Sequence, residues 1–158
     1  MITVRTLIRR FSRLNVQRGS KYEKIPLSAL DIFSIVKDLS TYYEAYQVWR
    51  EWREGLEAIA YSYVSPHLRG KLLSLAEETE ESVQRDVYDM LVAEFRRRAP
   101  RWRPAFAKVL GFLVENPDFI GDYYREPHPT YRRIAEALGL SFSTVRDAFW
   151  ALRGAGLI

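Results

Sequence analysis

Arg132, Arg133 and Arg146 lie close in sequence to three hydroxyl side chains, Ser141, Ser143 and Thr144, and to Phe142 and Asp147. These groups bind rather than make or break bonds. A guanidinium is a planar, permanently cationic fork that grips phosphate or the acceptor edge of guanine, and hydroxyls can serve either target. Phe142 offers an apolar contact to a thymine methyl, while Asp147 can pair with Arg146 or accept from a cytosine amine. Groups for covalent or metal chemistry are scarce. The sequence has no cysteine, which excludes disulfides and thiolate metal sites, and His67 and His128 are too far apart for ligand spacing. There is no glycine-rich phosphate loop and no serine near a histidine base, and the carboxylates are scattered over helix faces. The expectation is a binding protein rather than an enzyme, with no metal and no cofactor.

Three short helices must position these side chains. "RPAFAKVLGFLVENPDF" places Phe106, Val109, Leu110, Leu113 and Val114 on one helical face, with Pro104 suited to the first turn and a stop at "ENPD". "IGDYYREPHP" reads as a loop. Thr130 then caps a helix through Ala137, Gly139 turns the chain, and Ser141 caps a last helix over 142–153. Ala135 supplies a small residue where two helices meet, and Val145 a β-branched one on the inner face of the second. Ile134, Leu138, Leu140, Ala148, Phe149 and Leu152 complete a small core. This is the spacing of a helix-turn-helix, whose second helix offers its outer, amino-terminal side to the DNA major groove. Arg146 and Asp147 then occupy exposed early turns of the reading helix, Ser143 and Thr144 donate to phosphates or base edges, and Arg132 and Arg133 hold phosphate.

The stretch "IAEALGLSFSTVRDAFWALRGAGLI" resembles the winged helix-turn-helix of bacterial and archaeal regulators. It is closest to the GntR type, with its "LA..LG.S..TVR.AL..L...GL" pattern, and more loosely similar to MarR-type regulators. The resemblance covers roughly Pro104 to Ile158. It implies that Arg146, the arginine after "TV", contacts DNA and that Arg132 reaches the backbone, with Ser141, Ser143 and Thr144 standing for the polar residues of "S.STV". The sequence departs from the pattern at Phe142, where arginine is common. In those families "GLI" leads into a two-stranded wing, which has no counterpart before Ile158, and GntR regulators carry the module ahead of an effector domain, the reverse of the order here. The resemblance therefore implies the DNA-binding fold and not metabolite sensing.

The remaining sequence supports these helices and adds charge. Seven of the 24 basic residues precede position 25, against Glu23 alone, whereas Ile25 to Glu80 holds five basic and nine acidic residues. Val4, Leu7, Ile8, Phe11 and Leu14 follow helical spacing, with Arg5, Arg9, Arg10 and Arg13 beside them, so residues 1–24 read as a basic phosphate-binding arm. Attachment to a membrane surface is a competing use of the same helix. Residues 25–99 read as a helical bundle: one helix from a Ser28 cap to about Ser40, one from Thr41 to Tyr63, and two more around Leu68–Ala76 and Val83–Phe95. Arg96, Arg97 and Arg98 fit the negative end of the last of these. The run "YYEAYQVWREW" could stack nucleic-acid bases, but its interleaved glutamates favour helix packing or a dimer interface. Pro100 and Pro104 bracket the expected boundary of a 100–158 domain. No apolar run approaches the roughly 20 residues of a membrane span, and a cytoplasmic location is expected.

The expected fold is thus all-α, a helical bundle followed by a three-helix (winged) helix-turn-helix domain. The expected function is sequence-specific binding of double-stranded DNA by a transcriptional regulator, a homodimer through residues 28–99, that reads the major groove with helix 142–153. The alternative is a non-catalytic subunit of a replication, genome-maintenance or mobile-element complex, in which the same fold holds a protein or nucleic-acid partner.

Overall fold

The computed structural model describes the backbone of residues 32–63 and 66–158, and their side chains except those of 55–63 and 67–79. Among the described residues the protein is all-helical, with no strand. Its helices are α1 (Leu39–Tyr63), α2 (Pro66–Arg98), α3 (Pro104–Glu115), α4 (Asp118–Arg125), α5 (Pro127–Leu138) and α6 (Phe142–Gly154). The expected arm with Arg5, Arg9, Arg10 and Arg13, and the expected cap at Ser28, lie outside the described residues. No described helix is long and apolar enough to cross a membrane. No group of described His, Asp or Glu residues is placed to hold a metal ion.

The chain divides into two compact units. One takes the residues up to Ile35 together with Glu44–Val83, and the other takes Val36–Tyr43 together with Gln84–Ile158. The division falls inside α1 and α2 rather than at Pro100.

In the first unit the aromatic run forms core. Tyr46, Trp49 and Trp52 are buried with Ala45 and Val48. The Tyr46 and Trp49 rings lie 5.4 Å apart, with Arg50 over the face of Tyr46 at 4.8 Å and Arg53 over Trp49 at 5.4 Å. Tyr46 donates its hydroxyl to Glu80 at 3.3 Å, and Glu80 also pairs with Arg53 at 3.7 Å. Burial, reinforced by the Glu80 charge, pushes the Tyr46 hydroxyl above its ordinary range. These rings are spent on packing within the chain.

Helix α2 is continuous where the apolar pattern predicts two helices. The lapse falls on "EETEES", which interrupts the hydrophobic stripe but contains neither glycine nor proline. A polar stretch of acceptable helix formers leaves the backbone hydrogen bonds running.

Ser34 and Ile35, at the edge of the first unit, form a turn, and α1 starts at Leu39 in the second, so the helix expected up to Ser40 does not reach that far. Asp38 and Thr41 fix the start. The Thr41 amide donates to the Asp38 carboxylate at 2.7 Å, and the Asp38 amide donates to the Thr41 hydroxyl at 3.1 Å. Each thereby satisfies a helix-start donor that has no partner within the helix. Asp38→Ala is expected to lower the unfolding free energy by about 1 kcal/mol. Urea denaturation checks this, and a loss confined to the noise would place the helix start elsewhere.

Helices α3 to α6 pack on one another, with α6 against both α3 and α5, and α5 also against α4. The stretch expected as a loop forms α4 because Ile120 and Tyr123, three residues apart, bury one side of it. Pro127 and Pro129 then fall in the first turn of α5, where a missing amide costs nothing. Thr130 is therefore not a cap. It lies inside α5, almost fully buried, and its hydroxyl donates back to the Glu126 carbonyl at 2.8 Å. Gly121 lets α4 approach Tyr43 closely, since a Cβ there would sit 2.6 Å from the tyrosine hydroxyl. At the far end of α3, the Val114 carbonyl accepts from the Tyr42 hydroxyl at 2.6 Å and from the Gln84 amide group at 3.3 Å. Both satisfy an acceptor that the helix terminus leaves open.

Beyond α6, Gly156 adopts a left-handed conformation (φ 73°) and the Leu157 amide returns to the Leu152 carbonyl at 2.9 Å. This buries Leu157, whose own carbonyl accepts from the Leu39 amide at 2.8 Å. The last turn of α2 carries Arg96, Arg97 and Arg98, as expected. Arg97 and Arg98 meet Glu94 at 2.6 and 3.0 Å, and the Arg97 hydrogen bond, with both guanidinium charges, holds the Glu94 carboxyl below its ordinary range.

Candidate functional site

The turn between α5 and α6 is made by Gly139 and Leu140. Gly139 is left-handed (φ 66°, ψ 31°), and its amide and that of Leu140 both return to the Ala135 carbonyl, the latter at 3.0 Å. A side chain at that φ would strain the turn. Ala135 and Val145 are buried where the two helices meet.

Ser141 caps α6, its hydroxyl accepting from the Thr144 amide at 3.1 Å. The same oxygen lies 2.7 Å from the Thr144 hydroxyl and 3.2 Å from the Ser143 hydroxyl. Three hydroxyls therefore cluster at the helix start, beside amides whose dipoles favour an anion.

Arg146 and Asp147 follow on the outward side of the next turn. The Arg146 side chain is 36% exposed. Its guanidinium lies over the Trp150 ring at 4.6 Å and approaches the Asp147 carboxylate at 3.6 Å. Its Nε is shielded from solvent and has no hydrogen-bond partner. An exposed cation–π contact contributes about 0.5–1 kcal/mol, whereas an unsatisfied donor costs about 1–3 kcal/mol. Trp150 itself is 55% exposed.

Asp147 has a second cationic neighbour, Arg103, at 3.6 Å. Arg103 is the residue before α3, and its side chain is exposed. The candidate surface therefore includes two residues that the sequence reading did not assign, Arg103 and Trp150. Arg103 stands in "RWRP" just ahead of a helix start, a signal that is visible but ordinary. The relation of Trp150 to Arg146 is legible as neighbouring positions four apart on α6.

Arg132, Arg133 and Phe142 are deployed differently from one another. Arg132 is exposed and helps line an open depression of about 540 Å³ with Ala135, Glu136, Gly139, Leu140 and Phe142. This sets it at the turn, beside the start of α6. Arg133 points instead toward α4, meeting Asp122 at 3.3 Å and covering the Phe119 ring at 4.7 Å. Adjacent helical residues diverge by about 100°, so the pair expected to act together is split, and Arg133 is not part of this surface. The Phe142 ring lies parallel to His128 at 6.2 Å and edge-on to Tyr131 at 5.7 Å. It belongs to an aromatic cluster and is half-buried. Burial, helped by Tyr123, pushes the Tyr131 hydroxyl above its ordinary range. Arg153, at the end of α6, donates to the Tyr123 hydroxyl and so ties α6 to α4.

The arrangement presents hydroxyls, helix-start amides and two or three guanidiniums on one side of α6, suited to hydrogen bonding with an anionic, acceptor-rich partner. Comparison with known proteins finds no matching family model, no matching curated relative and no matching solved structure.

Proposed function

We propose that the second unit is a helix-turn-helix module that binds double-stranded DNA sequence-specifically, with α6 in the major groove, and that the protein is a transcriptional regulator. The observation that carries this reading is the outward placement of Arg146 on a helix whose start is capped by Ser141 and joined to α5 through the left-handed Gly139. Arg146 addresses guanine, Ser143 and Thr144 address phosphate or base edges, and Arg132 and Arg103 address the flanking backbone. A homodimer with its contact in residues 28–99 supplies a second reading helix for a two-fold site. Because Tyr46, Trp49 and Trp52 are buried within one chain, that contact uses other residues of the region.

The test is binding to a randomised duplex library followed by titration of the enriched duplex at several salt concentrations. Expected are an enriched sequence and an affinity that falls with salt, with a log–log slope of about −0.9 per phosphate contacted. Retention of no duplex at low salt rejects the reading and directs attention to the subunit role in a larger nucleoprotein complex.

A further inference from the structure

Asp147 is the only carboxylate in α6, and it stands on the face that the proposed function gives to base edges. An acidic group there opposes phosphate binding, so its presence needs a reason beyond solvation. It is 31% exposed and lies 3.6 Å from both Arg103 and Arg146. Both separations exceed hydrogen-bond length, so the carboxylate neutralises two guanidiniums without binding either of them firmly. When Arg146 moves onto guanine and Arg103 onto phosphate, Asp147 loses both neighbours and remains in the groove as a charged group that can only accept.

The major groove decides which bases tolerate such a group. Guanine presents the acceptors N7 and O6, and thymine presents O4 and a methyl, whereas cytosine N4 and adenine N6 are donors. A carboxylate left opposite guanine or thymine is unpaired in a poorly hydrated space, and opposite cytosine or adenine it is satisfied. Resting on the DNA-binding reading above, we infer that Asp147 is a specificity-determining residue, demanding an amine-bearing base (cytosine or adenine) next to the position read by Arg146 and suppressing binding to DNA that lacks it. Its pairing with Arg103 and Arg146 in the free protein serves the same end, because both cations are partly neutralised until a matching site releases them.

The experiment compares the wild-type chain with Asp147→Asn and Asp147→Ala by selection from a randomised duplex library, and by titration of one enriched and one unrelated duplex. The wild type is expected to enrich cytosine or adenine at one position adjoining a guanine. Asn can donate as well as accept, so Asp147→Asn should no longer exclude guanine or thymine there and should bind the unrelated duplex at least about fivefold more tightly, the lower end of what one base contact is worth. Asp147→Ala should lose the same preference. The inference is overturned if Asp147→Asn still excludes guanine and thymine at that position with unchanged affinity for the unrelated duplex. Loss of all binding in both variants, with helicity intact, also overturns it and makes Asp147 a positioning residue for Arg146. A wild-type chain that enriches no sequence at all rejects the inference together with the DNA-binding reading, an outcome distinct from the other two.

Discussion

Arg146→Ala is expected to weaken binding to the enriched duplex roughly tenfold to a hundredfold, corresponding to about 1–3 kcal/mol for one bidentate guanine contact. Preference for guanine at one position should disappear with it, while binding to unrelated duplex changes much less. The fold should survive the change. Arg146 is about a third exposed, at 36%, lies beside Asp147 and Trp150, and its Nε makes no hydrogen bond that could be lost. Arg146→Lys separates charge from shape, because an ammonium keeps the cation but lacks the planar fork, and it should recover little of the guanine preference. If Arg146→Ala lowered thermal stability markedly and left DNA affinity alone, its stack on Trp150 would be structural and the binding role would fall.

Phe149→Ala is expected to have the largest effect on stability, about 3–5 kcal/mol, as for other buried aromatic truncations. Phe149 is fully buried, with its ring stacked at 4.5 Å on Tyr123 and tilted at 5.1 Å from Tyr131. Its removal strips one side from both tyrosines and leaves a hole between α4, α5 and α6, which those helices cannot close without moving α6 from its place. The neighbouring Trp150→Ala is the matched control. Trp150 is mostly exposed, so its loss should shift the unfolding midpoint by no more than about 0.5 kcal/mol. Urea denaturation of both variants measures the contrast, and similar losses would mean that the inner and outer faces of α6 have been misassigned.

The inner face of α6 was legible in the sequence because burial repeats with the helical period. Val145, Ala148, Phe149 and Leu152 are all buried, and Ile134 and Ala135 lie beneath them on α5. Gly139 and Ser141 were legible for a different reason: a left-handed turn and a helix-start acceptor each suit few residue types. The departures share a cause: packing, and not the local signal, decides these boundaries. Thr130 resembles a cap, yet Pro127 starts α5 earlier and turns that hydroxyl inward. Two prolines made "IGDYYREPHP" look like a loop, although Ile120 and Tyr123 give its first part a buried side. The acidic run in α2 hid a continuous helix because an interrupted stripe is not an interrupted backbone. Neighbour relations across the chain had no sequence signal at all. Nothing in "RWRP" announces that Arg103 lies beside Asp147, and nothing in "RR" divides Arg132 from Arg133.

Methylation protection at guanine N7, which lies in the major groove, tests most directly whether α6 reads DNA there through Arg146. On an enriched duplex saturated with the wild-type chain, at least one guanine should be protected at N7, and saturation with Arg146→Ala at higher concentration should leave that guanine reactive. A wild-type complex in which every guanine N7 stays reactive, or in which Arg146→Ala protects the same guanine equally well, would contradict the account.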